Sequence, residues 1–148
     1  TDVVVSAINA QNAANTALTQ EQIDTLEKQW RAEVKSGSGP LVDKVLNNDL
    51  SKFLQGIREK SQGLYTEIFV MDNKGLNVGQ SDPTSDYWQG DEAKWQKTFL
   101  VGAGAVDISD VAFDESSEIY QVQASIPLMS GETVIGAITI GMNAALLE

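Results

Sequence analysis

Tyr65-Thr66-Glu67-Ile68-Phe69-Val70-Met71-Asp72-Asn73-Lys74-Gly75 decides the fold, because the periodicity of the chain changes here. Tyr65 to Met71 alternates as a strand does, with successive side chains on opposite faces. Asp72-Asn73-Lys74-Gly75 is turn chemistry, and Gly75 is free to take a positive φ. Leu76-Asn77-Val78-Gly79-Gln80 returns as a short second strand. Alternation predicts Thr66, Ile68 and Val70 on one face, and Tyr65, Glu67, Phe69 and Met71 on the other.

Upstream of this hairpin the spacing is helical. Val3-Val4-Val5, Ile8, Ala13-Ala14 and Leu18 open a helix. Thr19 reads as an N-cap with Gln22 three positions on, the pattern of a capping box. Ile23, Leu26, Trp30, Ala32 and Val34 then share one face. Ser36-Gly37-Ser38-Gly39-Pro40 is a break. Leu41, Val45, Leu46, Leu50, Phe53, Leu54 and Ile57 recur at helical spacing in a second segment, which weakens at Gly56 and stops at Gly63. Residues 1–63 are thus an N-terminal helical segment, and 64–148 a sheet with its loop, together one domain.

Downstream comes Ser81-Asp82-Pro83-Thr84-Ser85-Asp86-Tyr87-Trp88-Gln89-Gly90-Asp91-Glu92-Ala93-Lys94-Trp95, a loop dense in aromatics, amides and carboxylates. Such a loop suits the lining of a small polar pocket, where rigid rings supply area and a few polar groups fix orientation. Its end predicts a short helix over 91–99, with Asp91 the better-placed N-cap. Asp86 is equally suited to capping a turn and to touching a ligand, and Trp88 and Trp95 to packing and to a ligand box. Three strands follow: Val106 to Phe113, Glu118 to Met129 and Thr133 to Met142. Asp114-Glu115-Ser116-Ser117 and Ser130-Gly131-Glu132 are their turns. Gln121, Gln123 and Ser125 share one face of the fourth strand, and fit both a solvated sheet and a pocket floor. In the fifth, Ile135, Ala137, Thr139 and Gly141 leave room for close approach on one side. The order predicts an α+β fold: a five-stranded antiparallel sheet with the helices on one face.

Composition narrows the function. With 21 acidic against 10 basic residues, the net charge of -11 repels phosphate backbones and anionic headgroups. That argues against a nucleic-acid partner. There is no Cys and no His, which removes thiol nucleophiles, His-based triads and the usual structural zinc ligands. Asp82 to Asp86 resembles the start of a calcium loop. As an EF-hand it fails, because Tyr87 stands where Gly is required and Ala93 where Glu is required. The acids Asp107, Asp110, Asp114, Glu115 and Glu118 read as a solvated hairpin end. No metal site, no cofactor and no catalytic constellation follows, so the expectation is a binding domain rather than an enzyme. No apolar run nears the ~20 residues that cross a bilayer, so any membrane anchor lies outside these 148 residues.

Taken together, Glu67 to Gly75, Asp86-Tyr87-Trp88-Gln89-Gly90-Asp91, Asp110 to Glu115, Tyr120 to Leu128 and Val134 to Gly141 resemble the single Cache family. These PDC sensors are PAS-like extracytoplasmic domains of chemoreceptors, sensor kinases and some free-standing periplasmic proteins. The resemblance implies a PAS-like sheet with a long N-terminal helix packed on one face. It implies a ligand held between the sheet and the segment after the second strand. Asp86, Tyr87, Trp88, Gln89, Asp91 and Trp95 would then lie in or near the pocket, with Phe69, Gln121 and Gln123 as its floor. Many relatives that bind amino or carboxylic acids carry an Arg in this loop. Here the nearest cations are Lys94 and Lys97, so a cationic or neutral ligand joins amino acids and small organic acids among the expectations. The implied function is small-molecule sensing in the periplasm, as the input of a receptor or as a free-standing binding protein. A third reading is a dimerisation module with a vestigial pocket, since the apolar stripe of the first helix fits both covering the sheet and forming a homodimer.

Overall fold

The computed structural model describes residues 2–115 and 118–147. Ser116 and Ser117 of the expected polar turn lie outside the described residues. The helical segment forms α1 (Asp2–Ala14), α2 (Gln20–Ser36), α3 (Pro40–Leu46) and α4 (Asp49–Lys60). The capping box is present. The Gln22 amide N–H donates to Thr19 Oγ1 at 3.2 Å, and Thr19 N–H to Gln22 Oε1 at 2.9 Å. The start at Thr19 and the break at 36–40 fall where expected, and the second segment divides into α3 and α4. Asn15 N–H and Leu18 N–H close a turn after α1 before Thr19 restarts the helix. α3 ends at its C-cap Asn47, and Asn48 caps α4 by accepting Ser51 N–H at 2.8 Å, which satisfies one of the orphan donors of a helix start.

The sheet is antiparallel throughout. It comprises β1 (Tyr65–Met71), β2 (Asn77–Gln80), β3 (Asp107–Ile108), β4 (Ala112–Asp114), β5 (Ile119–Ser130) and β6 (Thr133–Asn143). The order is β2-β1-β6-β5-β3, with β4 also on β5. The α+β class with helices on a sheet is as expected, but the strands number six, not five. The expected third strand divides at Ser109. Its Oγ accepts Gln123 N–H at 2.8 Å, taking the place of a ladder carbonyl, so β3 ends there and β4 begins anew.

The two faces of the sheet separate as the alternation predicts. Ile68, Val70 and Val78 pack with Ile8 of α1 and Leu50 and Leu54 of α4 in a dry core. Phe69, Met71 and Ala137 lie on the opposite face with Trp95 and Phe99. A third cluster joins Ile23 and Trp30 of α2 and Val42 and Val45 of α3 to Leu76 and Tyr87. Tyr65 and Thr66 depart from the pattern, and Tyr65, expected on the face of Phe69, packs against the helix-side core instead. Tyr65 pairs with Met142 and Glu67 with Gly141, so Thr66 is the extra residue of a β-bulge. A bulge puts two residues opposite one and re-aims the side chains. Thr66 and Glu67 therefore both face away from the helices.

Candidate functional site

Between the non-helical sheet face and the loop after β2 lies a cavity of about 650 Å³, within the range of small-molecule sites. β1 supplies Thr66, Glu67 and Phe69 to its floor, β5 supplies Gln121 and Gln123, and β4 contributes Asp114. Arg58, from the last turn of α4, closes one side. The loop closes another with residues Asp82 to Ser85 and with Gln89 and Glu92, joined by Lys94 of the short helix α5 (Ala93–Gln96).

The floor is a connected polar platform. Gln121 Nε2 and Gln123 Nε2 each donate to Glu67 Oε2 at 3.2 Å. Thr66 Oγ1 donates to Gln121 Oε1 at 2.8 Å. Gly141 on β6 makes room for it. A Cβ there would stand 2.6 Å from Thr66 Oγ1 and 2.9 Å from Glu67 Cγ, closer than packed atoms tolerate. Beside the platform the ring of Phe69 is almost fully buried, and Lys94 Nζ lies 5.4 Å from its centroid. Such a cation is attracted by the negative face of the ring. Arg58 Nε lies 3.3 Å from Asp82 Oδ2, an ion pair without hydrogen-bond alignment. Among the described residues no group of acids is placed to hold a metal ion.

Of the residues expected at the site, Phe69, Gln89, Lys94, Gln121 and Gln123 line this cavity. Asp86, Tyr87, Trp88, Asp91 and Trp95 do not, and each departure has a physical cause. Tyr87 turns toward the helices and stacks on Trp30 at 5.2 Å, buried in their cluster. Burial, helped by the negative charge of Asp72, pushes its phenol up to about 12. Trp88 packs against the same cluster and donates its indole N–H to Lys74 O at 2.8 Å. Trp95 is buried over Met71 and Ala137, stacked on Phe99 at 5.0 Å, and donates to Asp72 O at 3.0 Å. A buried indole needs an acceptor, and backbone carbonyls provide it in each case. Asp86 pairs with Arg31 of α2 at 2.9 Å. Burial, then the neighbouring Glu27, holds its carboxyl above the usual range against the pull of Arg31. Asp91 is exposed, and Glu92 occupies the N-cap position of α5 without a side-chain bond.

These residues anchor the loop. Glu27 Oε1 accepts Tyr87 N–H at 2.7 Å and Trp88 N–H at 3.1 Å, and Trp30 Nε1 donates to Thr84 O at 2.8 Å. Thr84 Oγ1 in turn accepts from Asn77 Nδ2 at 2.9 Å and from Gln80 Nε2 at 3.3 Å. The loop is thus held on the edge of β2, where Leu76 bridges to Trp88.

Arg58, Thr66, Glu67 and Asp114 also line the cavity, none of them an expected contact, while Asp82 to Ser85 and Glu92 lie in the loop read as suited to a pocket lining without being singled out. Glu67 was within reach, because alternation puts it on the face of Phe69. Thr66 needed the bulge, and Arg58 the docking of α4.

One residue connects the cavity side to α1. Asp72 is fully buried at the β1–β2 turn. Its backbone oxygen takes the Trp95 indole, while its carboxylate accepts Gln11 Nε2 of α1 at 2.9 Å, Lys74 N–H at 2.8 Å and Leu76 N–H at 3.0 Å. Burial raises its carboxyl above the usual value, and these donors oppose the rise. Asn12 of α1 adds a bond to Ile135 O at 2.9 Å and accepts Asn73 N–H at 2.9 Å.

No family model and no curated protein matches the chain. Solved structures do. The sensory domain of the Campylobacter jejuni chemoreceptor Tlp3 is similar with a TM-score of 0.51 and 12% identity, over 97% of this chain and 57% of that one. Its ligand-binding domain in complex with 4-methylisoleucine gives 0.51 and 14%, over 98% and 62%. The sensor domain of the V. cholerae histidine kinase DctB gives 0.47 and 15%, over 93% and 56%. The chain spans less than two thirds of the length of each of these relatives. At such identities the likeness is one of fold. The chain has the fold of chemoreceptor sensory domains, which is the fold that the resemblance to the Cache family implies.

Proposed function

We propose that this chain is an extracytoplasmic small-molecule-sensing domain of a bacterial signal-transduction receptor, of the Cache type, with the cavity over Glu67, Gln121 and Gln123 as its ligand site. The observation that carries the reading is the cavity itself. Its floor is a preorganised polar platform on a rigid sheet, and its roof is a loop held from outside by Trp30 and Glu27. The likeness to ligand-binding sensory domains of chemoreceptors supports it. Ligand contact with Lys94 or Glu92 would act on the neighbouring Trp95, and through Asp72 on Gln11 of α1. Such a ligand biases two states of the domain only by its different affinity for each. Among the described residues no helix is long and apolar enough to cross a membrane.

A thermal-shift screen of amines, amino acids and small carboxylates tests the reading. Saturation at a hundred times the dissociation constant stabilises the fold by about 2.7 kcal/mol. Gln123→Trp, which fills the cavity from its floor, is expected to abolish the shift while the protein stays folded. A shift unchanged in Gln123→Trp would move the site elsewhere.

A further inference from the structure

We propose that the cavity selects a cationic amine that carries no carboxylate, with Glu67 as the residue that sets this choice; the inference rests on the cavity being the ligand site. Its first support is the charge of the lining. Glu67, Asp82, Glu92 and Asp114 stand against Arg58 and Lys94, which leaves 2 − 4 = −2. Arg58 already pairs with Asp82. An entering carboxylate would meet a net negative wall, whereas an ammonium would be drawn to it.

The second support is the way the floor is wired. A site built for a ligand carboxylate turns its donors toward the ligand. Here the amides of Gln121 and Gln123 both turn toward Glu67, each giving it an N–H at 3.2 Å. They hold a carboxylate of the protein in place. Both amides meet the same oxygen, Oε2, and among the described residues Oε1 of Glu67 accepts no hydrogen bond. The platform therefore offers an oriented anion with one oxygen open. An ammonium, which has donors only, complements it.

The third support is independent of the acids. The chain's own ammonium, Lys94 Nζ, lies against the face of Phe69 at 5.4 Å. The floor thus already attracts a cation on its aromatic side. Lys94 competes with a cationic ligand for this ground, but would assist a carboxylate. The two ligand classes therefore respond to its removal with opposite sign.

Isothermal titration of the purified domain with 1,4-diaminobutane and phenethylamine, with L-valine and 4-aminobutyrate, and with succinate tests the proposal. The amines are expected to bind more tightly than the zwitterions, and succinate not at all. Glu67→Gln preserves the shape of the platform and should weaken amine binding by about 10- to 100-fold. Lys94→Met should leave amine affinity equal or higher, and Lys97→Met, an exposed charge outside the cavity, should leave it unchanged. Melting curves check the fold of each variant. If Glu67→Gln melts early, Gln123→Leu, which removes one of the donors holding Glu67, serves in its place and should also weaken the amine. Tighter binding of a zwitterion or of succinate, or amine affinity lost in Lys94→Met, would overturn the amine assignment and leave the cavity as the site. Binding of no probe, with no shift from a broad metabolite panel, would overturn both.

Discussion

The two faces of the sheet are built from the same strands and do opposite things. On one face Ile68, Val70, Ile138 and Ile140 meet Ile8, Leu50 and Leu54 in an apolar cluster. On the other, Phe69 shares the floor with Glu67, Gln121 and Gln123, and a cavity remains. The cover explains the difference. A helix brings a continuous apolar stripe and fills the space above a strand. The loop turns Tyr87 and Trp88 into the helix cluster and offers the sheet mainly polar side chains. If the cavity is the ligand site as proposed, stability and recognition are divided between faces, with Trp30 and Asp72 as links from one to the other.

Four substitutions would break or sharpen that division. Trp30→Ala is expected to have the largest effect. It removes a fully buried ring, the stack on Tyr87 and the donor to Thr84 O, at a cost of about 3–5 kcal/mol. Urea unfolding measures the loss. Because the loop is released as well, ligand affinity should fall at temperatures where the protein remains folded. Leu54→Ala on the dry face should cost about 2–5 kcal/mol and leave ligand affinity intact, since Leu54 touches neither loop nor cavity. Parallel loss of binding would mean that the faces are not independent.

Asp72→Asn tests the link through its pH dependence. Burial raises the Asp72 carboxyl in the folded state above its ordinary 3.8. The unfolded chain therefore releases this proton first. Stability falls as pH rises from that ordinary value to the raised one, and the penalty is full above it. Asn keeps an oxygen for the Lys74 and Leu76 N–H groups and has no charge to desolvate. Its stability relative to the parent should therefore rise with pH across this window, measured by urea unfolding at a series of pH values. A difference that is flat with pH would deny the buried charge. Gln123→Ala should have the smallest effect on stability, within about 0.5 kcal/mol, yet weaken ligand binding. A cost near that of Leu54→Ala would make the floor a structural feature.

Much of the scaffold could be read from the residues. Thr19 and Gln22 announce the start of α2. Asp72 to Gly75 announces the turn, where Gly75 takes a φ of 87° with Gly90 backbone packed against it. Strand alternation separates Ile68 and Val70 from Phe69 and places Gln121 and Gln123 on the side of Phe69. The small residue at Gly141 signals the close approach that accommodates the platform.

The loop was legible only as a loop. Its aromatics have no period, so nothing local says which way each ring turns. Trp88 and Trp95 turn where Lys74 and Asp72 present carbonyls, and Tyr87 where Trp30, far away in sequence, presents a face. The bulge at Thr66 likewise depends on pairing with β6, and the place of Arg58 on the docking of α4. Helix caps, turns and strand faces arise from interactions within a few residues, and the sequence by itself determines them. The lining of the cavity arises from contacts between elements far apart in the chain, and only the tertiary structure decides it.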